Sequence, residues 1–110
     1  MTHHAIPSIV RAISIRQPFA EMILRGTKPI EYRSRKTNIR ERAYIYASLT
    51  PGGAEDFGEI GVLPGTLPTG LIIGSVEITD CTEDDGDFEW HLAKPERLKT
   101  SLTRVLHLLR

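Results

Sequence analysis

The apolar positions along the chain alternate like strands far more often than they recur like a helix. Ile9, Ile13 and Ile15 around Ala12 predict a strand within residues 8–15. Gln17-Pro18 then opens a helix, because proline suits the first helical position. Phe19, Ala20, Ile23 and Leu24 recur at helical spacing, and Gly26 stands where a left-handed C-terminal cap belongs, so the helix is predicted over 17–25. Pro29 blocks continuation and leaves Ile30 to Arg33 extended. Residues 34–42 are polar and basic and read as a loop. Ala43 to Ser48 (AYIYAS) has strand propensity.

Residues 49–70 are rich in Gly and Pro and predict a loop, with one short helix near Ala54 to Ile60. Gly70 to Asp80 (GLIIGSVEITD) is the strongest strand, and Gly74 within it implies a bulge or a close backbone approach. An acidic turn over 82–89 follows, then a short extended piece from Trp90 to Leu92. Pro95 to Lys99 is expected to form one helical turn, and Ser101 to Leu109 fits strand and helix equally. One early helix followed by strands points to an α+β, mostly β fold or a small barrel rather than a doubly wound sheet.

A chain of 110 residues fits a single domain over 1–110, with its core in 10–98 and a flexible tail at 1–7. Its apolar runs are far too short to span a bilayer, and Met1-Thr2-His3-His4 lacks the basic and apolar regions of a secretory signal. The lone Cys81 permits no internal disulfide, which fits a reducing cytoplasm. A monomer is expected.

Charge changes the picture more than composition does. The net charge is zero, yet residues 11–42 hold nine Lys/Arg against three Asp/Glu, and residues 43–93 hold ten acids and no Lys or Arg. A basic segment of this kind attracts phosphates even in a neutral chain, or is simply a solvated face.

Gly26-Thr27-Lys28-Pro29-Ile30-Glu31-Tyr32-Arg33 places a Lys, a Glu and an Arg just beyond a helix end. Glu31 and Arg33 share one face of an extended segment, and Lys28 can swing toward it from the turn. Such a set can hold a phosphate or carbonyl, can move protons, or is a surface ion-pair set. Arg33, Arg35, Lys36, Arg40 and Arg42 make a candidate phosphate track, with Tyr32, Tyr44 and Tyr46 beside it to stack on bases. Glu77 interrupts the most apolar strand and needs water, a cation or a function. Cys81, His91 and the other histidines lack metal-site spacing, and His107 in its apolar run reads as structural. No metal site and no cofactor are therefore expected. Gly52-Gly53 lacks the residues of a phosphate-binding loop.

Four stretches together resemble the ASCH domain family, a branch of the PUA-like fold. They are AISIRQPFAEMILRGTKPIEYRSRKTNIR, AYIYAS, LPTGLIIGSVEITDC and FEWHLAKPERL. The first carries the family's Arg-Gln-Pro, helix, Gly-x-Lys-x-x-Glu-x-Arg succession. The resemblance implies a small antiparallel β-barrel with one flanking helix and a cleft lined by that succession. It also implies binding of RNA or a modified nucleoside. One branch of the family hydrolyses acylated cytidine with a Lys, a Thr and a Glu, and other members are reported to cut single-stranded RNA. By position that branch's Lys falls on Lys28, its strand Glu on Glu77 and its Thr on Glu31, where this chain departs.

Lys28, Glu31, Arg33 and Glu77 are thus expected to converge in one pocket, with Arg16, Gln17 and Ser48 at its edge. Arg35, Lys36, Arg40 and Tyr46 are expected to extend the ligand-binding surface. Catalysis, as an amidohydrolase or a ribonuclease, would use Lys28, Glu31 and Glu77. A protein-interaction module using the acidic stretch 83–89 is the third alternative.

Overall fold

The structure, a computed structural model, describes residues 9–102 and 108–109. The expected tail at 1–7, the histidines at 3 and 4, and His107 lie outside the described residues. In chain order the elements are β1 (Ala12–Ile15), α1 (Phe19–Leu24), β2 (Ile30–Arg33), β3 (Arg42–Ala47), α2 (Ala54–Gly58), β4 (Leu71–Asp84), β5 (Asp87–Leu102) and β6 (Leu108–Leu109). All described strands join one sheet, in the order β2-β5-β4-β3-β1-β6.

The α+β, mostly β reading stands, but among the described residues the sheet does not close into the expected antiparallel barrel. The sheet is open, with β2 and β6 at its edges. It is also mixed: β1 runs parallel to both β3 and β6, while β3–β4, β4–β5 and β5–β2 are antiparallel. The parallel pair follows from the connection between β1 and β3. That connection is long enough, with α1 and β2 in it, to carry the chain back to the same end of the sheet. Edge strand β2 faces the end of β1 beyond the residues that pair with β6, and no ladder joins them among the described residues. A side chain spans that gap instead: Arg33 Nη2 donates to the Ser14 carbonyl.

Helix α1 ends as its sequence predicts. Gly26 has φ +80°, and the Gly26 and Thr27 N–H groups donate to the Ile23 and Met22 carbonyls at 3.0 Å each. This is a Schellman closure. The start of the helix is tied down by Gln17, which is fully buried. Its Oε1 accepts the Glu21 N–H (3.0 Å), and its Nε2 donates to the Pro68 carbonyl (3.1 Å), fastening the Gly/Pro-rich loop to the helix.

Strands β4 and β5 form one long hairpin. Its tip is the Asp85-Gly86 pair, both residues with positive φ, so the acidic turn expected over 82–89 narrows to these two residues and the strands run through the rest. The helical turn expected at Pro95 to Lys99 is absent, because β5 runs through it. Lys94 takes φ +51°, and the β4–β5 register shifts between Ser75 and Glu77, so Pro95 sits in an irregular part of the strand where no ladder bond is lost. The apolar cluster gathers Ile13, Ile15, Ala20, Ile23, Ala43, Ile45, Ala47, Ile73, Val76, Ile78, Trp90 and Leu92 between α1 and the sheet. At Gly74, α1 approaches the sheet backbone closely. A Cβ there would lie 2.4 Å from Leu24 Cδ2 and 2.6 Å from the Glu96 carbonyl. Among the described residues no helix is long and apolar enough to cross a membrane.

Candidate functional site

The open seam between β1 and β2 is a cleft of about 480 Å³, lined by Ser14, Ile15, Arg16, Phe19, Lys28, Glu31, Tyr32 and Arg33. Its position follows from local folding. The Schellman closure and Pro29 turn the chain sharply out of α1, so β2 starts beside the helix and faces the C-terminal end of β1. Alternation along β2 then sends Glu31 and Arg33 to one side and Tyr32 to the other.

Three charged side chains form a chain at the base of the cleft. Arg33 Nε donates to Glu31 Oε2 at 3.0 Å, and Lys28 Nζ stands 3.7 Å from Glu31 Oε1. Lys28 Nζ also donates to the Ile30 carbonyl at 2.6 Å. These side chains are mostly buried, at 17%, 13% and 16% exposure for Lys28, Glu31 and Arg33. Aromatic faces complete the surround. Lys28 Nζ lies 5.2 Å from the Tyr32 ring centre and 5.9 Å from that of Phe19, and the Arg33 guanidinium lies 5.4 Å from Trp90. These are cation–π distances. Tyr32 itself is 58% exposed, so most of its ring is open to a ligand. With Arg16 exposed at the rim, the lining carries three cations against one carboxylate.

The residues expected at the site separate into two groups. Arg16, Lys28, Glu31 and Arg33 line the cleft together. Glu77 does not: its carboxylate lies 3.9 Å from both Arg42 and Lys94. The reason is the alternation of β4. Val76 turns toward α1, where it shares a small pocket with Ile23 and Lys28, so Glu77 points to the opposite face of the sheet.

Gln17 serves as the anchor described above and is absent from the cleft lining. Ser48 is absent too, its Oγ accepting the Thr50 N–H at 3.3 Å. Arg40 turns back on its own loop, donating to the Thr37 and Ile39 carbonyls at 2.9 and 3.0 Å and facing Asp80 at 3.7 Å. Arg35 and Lys36 are exposed, and Tyr46 is half-buried on β3; none of the three lines the cleft.

Three residues matter more than their sequence context announced. Phe19 reads as a core position of α1, yet it walls the cleft. Trp90 is buried beneath Arg33, and its indole N–H donates to the Arg35 carbonyl at 2.8 Å, pinning the basic loop to the sheet. Glu21, also buried, accepts two bonds from Arg97 at 2.9 Å each and one from Arg25 at 2.8 Å. Burial pushes the Glu21 carboxyl up, but the hydrogen bonds from Arg97 and Arg25 outweigh it and hold it below the usual carboxylate range. Arg97, 76 residues away in sequence, carries no local signal for this pairing.

With this geometry established, comparison with known proteins is decisive for the family. The ASCH domain profile matches residues 13–105. The chain belongs to the ASCH domain family. It is 29% identical over 80 residues to Activating signal cointegrator 1 of Homo sapiens, an alignment covering 63% of this chain and 14% of that protein. The Mus musculus protein of the same name matches with the same identity and coverage. The chain thus spans a small part of the length of these relatives. The succession from Arg16-Gln17-Pro18 to Arg33, inside the matched region, is the segment that builds the cleft.

Proposed function

We propose that this ASCH domain binds a base of single-stranded RNA, or a free nucleoside, in the cleft between β1, α1 and β2. The observation that carries the reading is the Lys28–Glu31–Arg33 chain at the base of a cleft walled by aromatic rings. A flat, polar-edged ligand suits it. Phe19 and the exposed Tyr32 supply π faces for stacking. Glu31 supplies an acceptor for a ring or exocyclic N–H, and Lys28 supplies donors for a carbonyl or phosphate oxygen. The excess of cations in the cleft lining favours a phosphate-bearing ligand over a neutral one. A cleft of about 480 Å³ is in the range of small-molecule sites.

Binding is favoured over hydrolysis by what surrounds Lys28. Its Nζ donates to the Ile30 carbonyl at 2.6 Å and stands 3.7 Å from Glu31, contacts that hold it in place as an anchor for a ligand oxygen. Glu77, the second carboxylate a hydrolase of this pattern would use, is engaged with Arg42 and Lys94 instead. The test is a calorimetric titration of the four nucleoside monophosphates, with Lys28→Ala and Tyr32→Ala alongside. Each variant is expected to weaken binding by about fivefold or more while still melting cooperatively. Binding unchanged in both variants would remove the cleft from consideration.

A further inference from the structure

Next to the cleft lies a second depression of about 290 Å³, lined by Phe19, Met22, Thr27, Lys28, Pro29, Ile30 and Tyr32. Phe19, Lys28 and Tyr32 belong to both. The two are therefore halves of one trough, divided at the edge of β2. The cleft takes the Glu31 and Arg33 side of the strand, and the groove takes the Ile30 side. Their chemistry differs. The cleft holds charged groups, whereas Lys28 is the one charged residue lining the groove, at the shared boundary.

We infer that the groove holds the base next to the one in the cleft, so that the ligand is a step of at least two nucleotides of a single strand. This rests on the reading of the cleft given above. Continuity fixes the occupant: whatever lies in the cleft and continues past Tyr32 must enter the groove. A single strand continues with a second flat, π-faced base, which an apolar groove accepts without needing hydrogen-bond readout. Between the two bases lies one phosphate. The Lys28 ammonium is at the boundary that phosphate crosses, 5.2 Å from the Tyr32 ring centre. Tyr32, 58% exposed, stands between the two depressions with ring surface available to stack on an unstacked base.

The experiment uses the full chain with three probes: the nucleoside monophosphates, the corresponding dinucleotides, and dinucleotides in which one base is replaced by hydrogen. The base-deleted probe keeps the charge of the dinucleotide, so any difference between them reports the second base alone. Two variants alter residues that line the groove and not the cleft, Thr27→Tyr to fill it and Met22→Ala to remove a wall.

The complete dinucleotide is expected to bind at least about fivefold tighter than its base-deleted form. Thr27→Tyr should abolish that advantage and Met22→Ala reduce it, with monophosphate affinity unchanged in both. Equal affinity for complete and base-deleted dinucleotides, with monophosphates still bound, would overturn the two-base trough and leave the cleft reading intact. An advantage that survives Thr27→Tyr would also overturn it. No binding of any probe would overturn both.

Discussion

Arg33→Ala should open the seam between β2 and β1. The guanidinium makes three contacts that no other side chain replaces: the ion-paired bond to Glu31 at 3.0 Å, the bond to the Ser14 carbonyl, and the stack 5.4 Å from Trp90. Removing one partner of a buried ion pair costs about 3–5 kcal/mol, because the remaining charge is stranded. Two facts lower that figure here. Lys28 stays 3.7 Å from Glu31, and the pair retains 16% and 13% exposure. The expected loss is about 2–3 kcal/mol, which in a domain of this size lowers the melting temperature by roughly 10–15 °C. Arg33→Lys keeps the charge but reaches one acceptor at a time, so about 1 kcal/mol is expected. Chemical denaturation of the three proteins gives the comparison directly. A loss below about 0.5 kcal/mol in Arg33→Ala would show that the seam is held by something else. Equal losses in Arg33→Ala and Arg33→Lys would mean that the planar fork, and not the charge, carries the effect.

Three other outcomes are expected. Gly74→Ala should cost about 2–3 kcal/mol in denaturation, since the new methyl would lie 2.6 Å from the Glu96 carbonyl, which side-chain rotation cannot relieve; an unchanged midpoint would contradict the close approach of the β5 backbone at Glu96. Glu21 contributes stability that is full above its unfolded-state value near 4.5 and is lost as pH falls through its lower folded value, so Glu21→Gln should flatten the acid side of the stability profile between pH 5 and 2; an acid limb identical to that of the unmodified protein would refute the assignment. Acylated cytidine should remain intact over hours with the unmodified chain, followed by chromatography, and turnover that disappears in Lys28→Ala would make hydrolysis the primary activity.

Much of the site was legible because it is local. Gln17-Pro18 and Gly26 bracket α1, Pro29 forces the chain out of it, and two-residue spacing puts Glu31 on one face with Arg33. Gly74 reads as a close approach, and Leu24 and Glu96 make it one. What was not legible depends on partners remote in sequence. Alternation in β4 shows that Glu77 and Val76 face opposite ways, but which side meets Lys28 is decided by α1 packing against Val76. The basic loop looked like a phosphate track, yet Arg40 is taken up by its own carbonyls. Pro95 suggested a helix start, and the positive φ of Lys94 and the register shift in β5 absorb it instead. The described sheet ends at β2 and β6, and where β2 faces the end of β1 one arginine bridges the cleft in place of a ladder, a contact between residues 19 apart that alternation alone does not announce.

The most direct test of the cleft is to map backbone amide shifts by NMR while titrating a short single-stranded RNA into the full chain. Binding in the cleft predicts that the largest shifts fall on Ile15, Arg16, Phe19 and residues 28–33, with the Arg42, Glu77 and Lys94 face unmoved. Shifts concentrated on that opposite face or on the exposed Arg35 and Lys36, with residues 28–33 unchanged, would contradict it.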